Sequence, residues 1–306
     1  MKCGRVIQSA GKWYKVDVDG ESIDCRLRGK LRLNEEVVTN PVATGDLVLI
    51  SLQSDGTGQI EQVEPRTNYL PRQATHGRRG EQILVANVDR AWVVVSILKP
   101  AFKYGFIDRF LVTCEAYDVP AGIILNKMDL AGENEYTRAD HLQILYRSLG
   151  YPVIRTSTFD AGSLSILQQE LNDKISVFIG PSGVGKSSLL NAIDPDLALR
   201  TGSVSDYSEK GQHTTTVARL VSLATGGQIV DTPGIRELGL VDITAGELSL
   251  YFPEMASIAE ECKFYNCTHS HEPGCKVMDR FESGQIDPER YNSYLQILES
   301  LSGKSS

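Results

Sequence analysis

The run Gly180-Pro181-Ser182-Gly183-Val184-Gly185-Lys186-Ser187 fits the pattern G-x-x-x-x-G-K-[ST], which wraps phosphate. Glycines at this spacing let backbone N–H groups turn inward onto phosphate oxygens. The helix predicted to open at Ser188 adds positive potential at its N-terminus. Lys186 is spaced to reach the β- and γ-phosphates, and the Ser187 hydroxyl to ligate Mg²⁺. Downstream, Asp231-Thr232-Pro233-Gly234 follows the apolar run Gln228-Ile229-Val230. A carboxylate at Asp231 can hold Mg²⁺ through water, and the Gly234 N–H can meet the γ-phosphate, so this segment reads as a switch that senses hydrolysis. Between the two lies Thr214-Thr215-Thr216. One of these hydroxyls, with Thr215 as the candidate, completes the Mg²⁺ shell when a triphosphate is bound; spacing alone does not choose among the three.

A second set of residues has the chemistry to read a base. Asn126-Lys127-Met128-Asp129 follows a continuous apolar run. The Asp129 carboxylate can accept both the N1–H and the exocyclic amine of guanine. Adenine offers no such pair, so GTP is predicted over ATP, and a metabolic P-loop kinase or ATPase is disfavoured. The Lys127 stem can pack over the ring, and Asn126 can tie the base loop to the phosphate loop. Thr156-Ser157-Thr158 supplies the second base element, through a backbone N–H near Ser157 that meets guanine O6. GTP or GDP with Mg²⁺ is therefore the predicted ligand set.

The order of these elements is unusual, because the base loop at Asn126 precedes the phosphate loop at Gly180. A parallel sheet tolerates this if the original ends lie close and are rejoined, since circular permutation keeps contacts while moving termini. The Asp231–Gly234 switch then leads almost directly into the C-terminal region.

That region carries metal-ligand chemistry. Six cysteines stand at 3, 25, 114, 262, 267 and 275, and the last three fall within fourteen residues. This clustering suits a metal site better than a disulfide framework. Cys262, Cys267 and Cys275 with one imidazole, from His269 or His271, make a full tetrahedral zinc set. With no open position, such a zinc is structural.

The elements that must position these groups follow from patterning. From 83 to 240, apolar runs at Ala91–Ser96, Ala121–Asn126, Pro152–Ile154 and Ser176–Ile179 alternate with helical stretches at Ile107–Tyr117 and Thr137–Leu149. Strands that are apolar throughout are buried on both faces, and their alternation with helices predicts a parallel α/β sheet. Residues 1–64 instead give short β-branched strands punctuated by glycines: Arg5–Gln8, Trp13–Val18, Ser22–Leu27 and Asp46–Ile50. Strands without helices predict a small OB-like β-barrel. From Lys2 to Arg32 eight Lys/Arg face four Asp/Glu, a basic segment within a chain of net charge −8. Nucleic acid would therefore meet a local patch, not the whole molecule. Residues 65–82 lack periodicity and are predicted as a linker. Residues 241–306 form a mainly helical zinc-binding domain, closed by a helix with Asp287 at the N-cap and Pro288 at its first position. Tyr291, Tyr294, Leu295 and Leu298 are predicted to share its buried face. At 306 residues, 41% hydrophobic and 23% charged, the chain suits two or three globular domains. No signal peptide and no apolar run of about 18 residues is seen, so the cytoplasm is the expected compartment.

The permuted order, the phosphate loop and the Cys/His cluster together resemble the RsgA family, over nearly the whole chain. The resemblance implies a circularly permuted GTPase acting in late maturation of the 30S ribosomal subunit and stimulated by that subunit. The basic barrel face and the zinc domain would contact 16S rRNA; no membrane or DNA partner is implied, and the protein is expected as a monomer. The resemblance implies His269 as the fourth zinc ligand. It also implies a catalytic histidine, since Ile235 follows Gly234 where other GTPases often place a water-orienting Gln. Gly211-Gln212-His213-Thr214-Thr215 matches the family's first switch and makes His213 the candidate. Gln212 departs from the Arg that many relatives carry there. Two other classes stay open on sequence: the kinase or ATPase, and a zinc-containing RNA-binding adaptor whose nucleotide site is regulatory only.

Overall fold

The computed structural model describes residues 1–29, 41–72, 82–197, 218–231 and 243–303. Five strands open the chain: β1 (Lys2–Ala10), β2 (Trp13–Val18), β3 (Glu21–Leu27), β4 (Leu47–Leu52) and β5 (Gly58–Val63). Burial alternates along them, and Val6, Val16, Ile23, Cys25, Val48, Ile50 and Ile60 point into a common core. They pair in the order β1-β2-β3-β5-β4, and β1 also pairs with β4, which closes the barrel. This is the small OB-like barrel expected, with β5 as a fifth strand beyond the four read from the sequence. Gly45 marks where it meets the rest of the molecule. Its φ is +94°, and a Cβ there would stand 2.0 Å from the Ala86 carbonyl oxygen.

The stretch predicted as a linker is partly built into the structure. β6 (Tyr69–Arg72) forms an antiparallel pair with β7 (Gln82–Ala86). Just upstream, the Arg66 guanidinium donates to both oxygens of buried Asp46, at 2.7 and 2.8 Å. Asn68 exchanges hydrogen bonds with the Val88 backbone. Polar residues that looked solvated in the sequence are the ones that fasten the barrel to the next domain. Residues 73–81 lie outside the described residues.

The central sheet holds β8 (Arg90–Ser96), β9 (Ala121–Asn126), β10 (Val153–Arg155), β11 (Ile175–Ile179) and β13 (Gln228–Asp231), all parallel in the order β10-β9-β8-β11-β13. The short strand β12 (Arg219–Ser222) runs antiparallel to β13, a departure from the all-parallel expectation. It also meets β1 at one register pair, Gln8 with Arg219, so the barrel and the sheet are continuous. The helices α1 (Tyr104–Ala116), α2 (Glu133–Ser148), α3 (Ala161–Leu171) and α4 (Lys186–Ile193) accompany this sheet. Val93 and Val95 belong to the core shared with α1 and α2, while Trp92 and Val94 belong to the core shared with α3 and α4. Alternate residues of one strand thus feed two hydrophobic layers, which is why the run had to be apolar throughout.

The C-terminal region contributes α5 (Pro253–Ala259), α6 (Lys276–Glu282) and α7 (Pro288–Ser302). Asp287 caps α7 as predicted, its carboxylate accepting from the Glu289 N–H at 2.8 Å. Tyr291, Tyr294 and Leu298 are buried, joined by Ile297, whereas Leu295 is half-buried. Helix α7 packs on α1 around a buried charge network. Arg290, 1% exposed, donates to Asp108 Oδ1 on α1 at 2.5 Å and to both Glu254 oxygens on α5 at 2.6 and 3.0 Å. The Tyr146 hydroxyl of α2 donates to the same Asp108 oxygen at 2.6 Å. Burial works against the Arg290 charge, but Asp108 and Glu254 more than offset it and raise its pKa. Among the described residues, no helix is long and apolar enough to cross a membrane.

Candidate functional site

The C-terminal ends of the parallel strands bring the two motif sets together, where an open α/β sheet binds its ligands. Registers Ile179 with Val93, Ser96 with Asn126 and Val177 with Val230 place the starts of the phosphate loop, the base loop and the Asp231 segment on one edge of the sheet. Gly180 leaves β11 in contact with the neighbouring strand, since a Cβ on it would lie 2.1 Å from the Val94 carbonyl oxygen. Gly183 and Gly185 take φ of +81° and +96°, the left-handed region that favours glycine. A Cβ on Gly185 would also meet Asn126 Nδ2 at 2.6 Å, so the loop closes down on the base motif. Val184 is buried and anchors the loop, while Ser182 and Gly183 are exposed. Lys186 Nζ donates to the carbonyls of Gly180 and Pro181, at 2.7 and 2.9 Å, which holds the ammonium over the loop. Ser187 and Ser188 occupy the first turn of α4.

The base loop is pinned from three sides. Asn126 is 2% exposed; its Nδ2 donates to the Val184 carbonyl at 2.9 Å and its Oδ1 accepts from Thr156 Oγ1 at 3.0 Å. This is the tie between base and phosphate loops that the sequence predicted. Lys127, at φ +62°, donates through Nζ to the carbonyls of Gly183 and Lys99, both at 2.5 Å. Met128 begins the short 3-10 turn Met128–Leu130, which carries Asp129. The Ser157 hydroxyl donates to Asp129 Oδ1 at 2.7 Å and accepts the Phe159 N–H at 3.2 Å. The Ser157 N–H meets Ser163 Oγ at 3.3 Å, whereas the Thr158 N–H makes no hydrogen bond among the described residues. The orienting hydroxyl of Ser157 and the Lys99 carbonyl escaped the sequence reading. A polar residue after β10 was the signal for the first; nothing local marked the second.

Asp231 ends β13 and is half-buried; burial pushes its pKa up, and Arg219 on β12 opposes this. With Ser187 it supplies the kind of oxygen donor that Mg²⁺ takes, so the residues fit that ion. His213, Thr215 and Gly234 lie outside the described residues.

The cysteine cluster assembles as predicted. Cys262, Cys267, His269 and Cys275 offer ligand atoms that all lie within 4.8 Å of one another. Cys262 Sγ and Cys275 Sγ are 3.9 Å apart, and His269 Nδ1 is 3.6 and 3.4 Å from them. Zinc bond lengths imply tetrahedral edges of about 3.8 Å for S···S and about 3.6 Å for S···N, so the set fits zinc. The imidazole is His269, only 2% exposed; His271 is exposed, with its Nδ1 against Ser270 Oγ. Burial pushes the Cys267 thiol up to about 12 and lowers the His269 pKa, against the opposing charge of Glu272. A neutral imidazole is the ligand form, and a bound cation reverses the penalty on the thiolates. The N–H groups of Lys276 and Met278 donate to Cys262 and Cys275 sulfurs at 3.3 and 3.4 Å, the outer support such sites use.

Comparison with known proteins bears on the whole arrangement. The family model described as the RsgA N-terminal domain matches residues 3–60, and that of the RsgA GTPase matches residues 63–241. The small ribosomal subunit biogenesis GTPase RsgA 2 of Bacteroides thetaiotaomicron is 42% identical over 297 residues, covering 97% of this chain and 96% of that protein. The corresponding protein of Flavobacterium psychrophilum is 40% identical over 300 residues, covering 97% and 92%. Among solved structures, YjeQ from Thermotoga maritima superposes with a TM-score of 0.81 at 35% identity, over 99% of both chains. YloQ, described as a circularly permuted GTPase, gives 0.77 at 32% identity, over 100% of this chain and 96% of that one.

Proposed function

This chain belongs to the RsgA family of GTPases, and from that membership we propose that it hydrolyses GTP during late maturation of the 30S ribosomal subunit, switched on by docking to that subunit. The observation that carries the reading is the bond from Asn126 Nδ2 to the Val184 carbonyl, which makes one site of a guanine reader and a phosphate cradle. Asp129, held by Ser157, accepts the two guanine N–H groups, the Thr158 N–H meets O6, and the Lys127 stem covers the ring. The N–H groups of Gly180–Ser188 and the Lys186 ammonium hold the phosphates. Ser187, Thr215 and Asp231 are the residues that would hold Mg²⁺, which would supply neutralisation of charge on the transferred group. Gly234 senses the γ-phosphate, and His213 orients the attacking water once the subunit orders its segment. The Cys262, Cys267, His269 and Cys275 set holds a structural zinc that shapes the C-terminal domain. Together with the basic barrel face, that domain contacts 16S rRNA, and the protein works as a cytoplasmic monomer.

GTP turnover measured with and without small subunits tests this. Stimulation of about a hundredfold corresponds to a barrier lowered by about 2.7 kcal/mol. His213→Ala should keep GTP affinity and lose the stimulated component. Unchanged stimulated turnover in that variant removes His213 from the mechanism, and no turnover in the wild type under either condition removes the hydrolytic reading.

A further inference from the structure

The histidine of the metal cluster sits in a backbone state that few residues with a Cβ adopt. His269 has φ +56°, the left-handed region, where the Cβ of an L-residue is crowded against its own backbone. Its ring is nevertheless buried with Nδ1 aimed at the sulfurs of Cys262 and Cys275. Something must hold the turn.

One carboxylate does so. Glu272 Oε1 accepts the Thr268 N–H at 2.7 Å and the Thr268 hydroxyl at 2.5 Å. Its Oε2 accepts the N–H groups of Ser270 and His271, at 3.1 and 3.2 Å. Three backbone donors on either side of His269 thus converge on a single side chain. From the other side, α7 fixes the same turn by its carbonyls: the Tyr291 hydroxyl donates to the His269 oxygen and the Tyr294 hydroxyl to the Thr268 oxygen, both at 2.8 Å. Because a peptide carbonyl and the next N–H share a plane, these two contacts set the peptide units on either side of His269, but they leave the Cys267–Thr268 and Ser270–His271 units beyond them to other partners. Glu272 holds those two outer units through the Thr268 and His271 N–H groups, and braces the unit after His269 through the Ser270 N–H. It is not itself a ligand in this arrangement, because its oxygens are spent on the turn.

We propose that Glu272 is the positioning residue that makes His269 the fourth ligand of the metal centre, and that without it the site falls back to three thiolates. The proposal rests on the zinc reading given above. Removing outer-shell partners of this kind typically weakens metal binding by about 10–100-fold.

The test uses the full chain, loaded with Co²⁺ and then with Zn²⁺ in competition with a chromogenic chelator. Wild type should show sulfur-to-cobalt charge transfer from three thiolates and the visible bands of a tetrahedral site with one nitrogen. Glu272→Ala should bind about tenfold or more weakly, and its cobalt spectrum should move to that of His269→Ala. Adding Glu272→Ala to His269→Ala should then cost little more, since both remove the same ligand. GDP affinity serves as the control that the GTPase core is folded. If Glu272→Ala does not fold, Glu272→Gln, which keeps the volume and places an amide against the backbone donors, is read in the same way. Affinity within twofold of wild type, with an unshifted cobalt spectrum, overturns the proposal in either variant. A wild-type chain showing no thiolate charge transfer instead overturns the zinc reading on which it rests.

Discussion

Replacing Arg290 by Met tests how the C-terminal domain is held to the GTPase core. The guanidinium makes three bonds of 2.5–3.0 Å to Asp108 and Glu254, and its carbon lies 4.4 Å from the Phe252 ring centroid. Met restores most of the stem's apolar contact but none of the charge. It leaves Asp108 fully buried and Glu254 at 11% side-chain exposure, both without their counter-ion. Breaking a buried pair from one side costs about 3–5 kcal/mol, far more than the pair contributes relative to a matched apolar set. Urea unfolding of the zinc-loaded chain and hydrogen exchange of the α7 amides should both report a loss of that size at neutral pH. A pH dependence should appear with it. Burial already raises the Asp108 pKa, and Arg290 is the largest influence pulling it down. Without Arg290, the folded-state pKa stands further above the unfolded value. The protonated acid is then favoured by folding, so stability is retained at low pH and lost as pH rises through the folded pKa. The deficit of Arg290→Met should therefore shrink on going from pH 8 to pH 5. Adding Asp108→Asn should recover part of the loss. A deficit below about 1 kcal/mol, or one that does not depend on pH, would refute the account of the network as a desolvated clamp.

Ser157→Ala removes the 2.7 Å bond that orients Asp129. A hydrogen bond to a charged group contributes about 1.5 kcal/mol, so GDP affinity by calorimetry should fall about tenfold while pyrophosphate affinity is kept. Withdrawing the metal with a chelator should unfasten α7, because the Tyr291 and Tyr294 hydroxyls bond the ligand turn. Hydrogen exchange should show loss of protection in α7 before any loss in β8, β9 and β11, and simultaneous loss would mean that the site and the core open as one.

The apolar runs at Ala91–Ser96 and Ala121–Asn126 were legible because a strand covered on both faces has no freedom to be polar. The phosphate and base motifs were legible for a related reason: few residue types satisfy their geometry. The assignment of His269 over His271 was not readable from spacing, since both lie between Cys267 and Cys275; burial and the distances from Nδ1 to the sulfurs separate them only in the fold. Strand β12 was missed because four residues with a single fully buried position carry no periodicity. The ordered start of the linker was missed because Arg66 and Asn68 look solvent-facing until their distant partners, Asp46 and Val88, are known. What sequence hid was pairing across long separations, as in the Arg290–Asp108 contact, 182 residues apart.

Strand β1 belongs to two structures at once. It closes the barrel against β4 and shares one rung with β12, Gln8 beside Arg219, while Thr44 Oγ1 reaches the Ala218 carbonyl at 2.9 Å. Ala218 comes soon after the Thr214–Thr216 run, and Arg219 stands opposite Asp231, where the chain enters the second proposed switch. The exit of the first proposed switch and the entrance of the second are thus tied to the frame of the barrel. Any surface that grips the barrel and favours one setting of that rung acts on the nucleotide with some coupling free energy. Reciprocity requires the bound nucleotide to change the grip by the same amount. On the proposed reading the barrel would then be a gauge as well as an anchor, its hold differing between the triphosphate and the diphosphate.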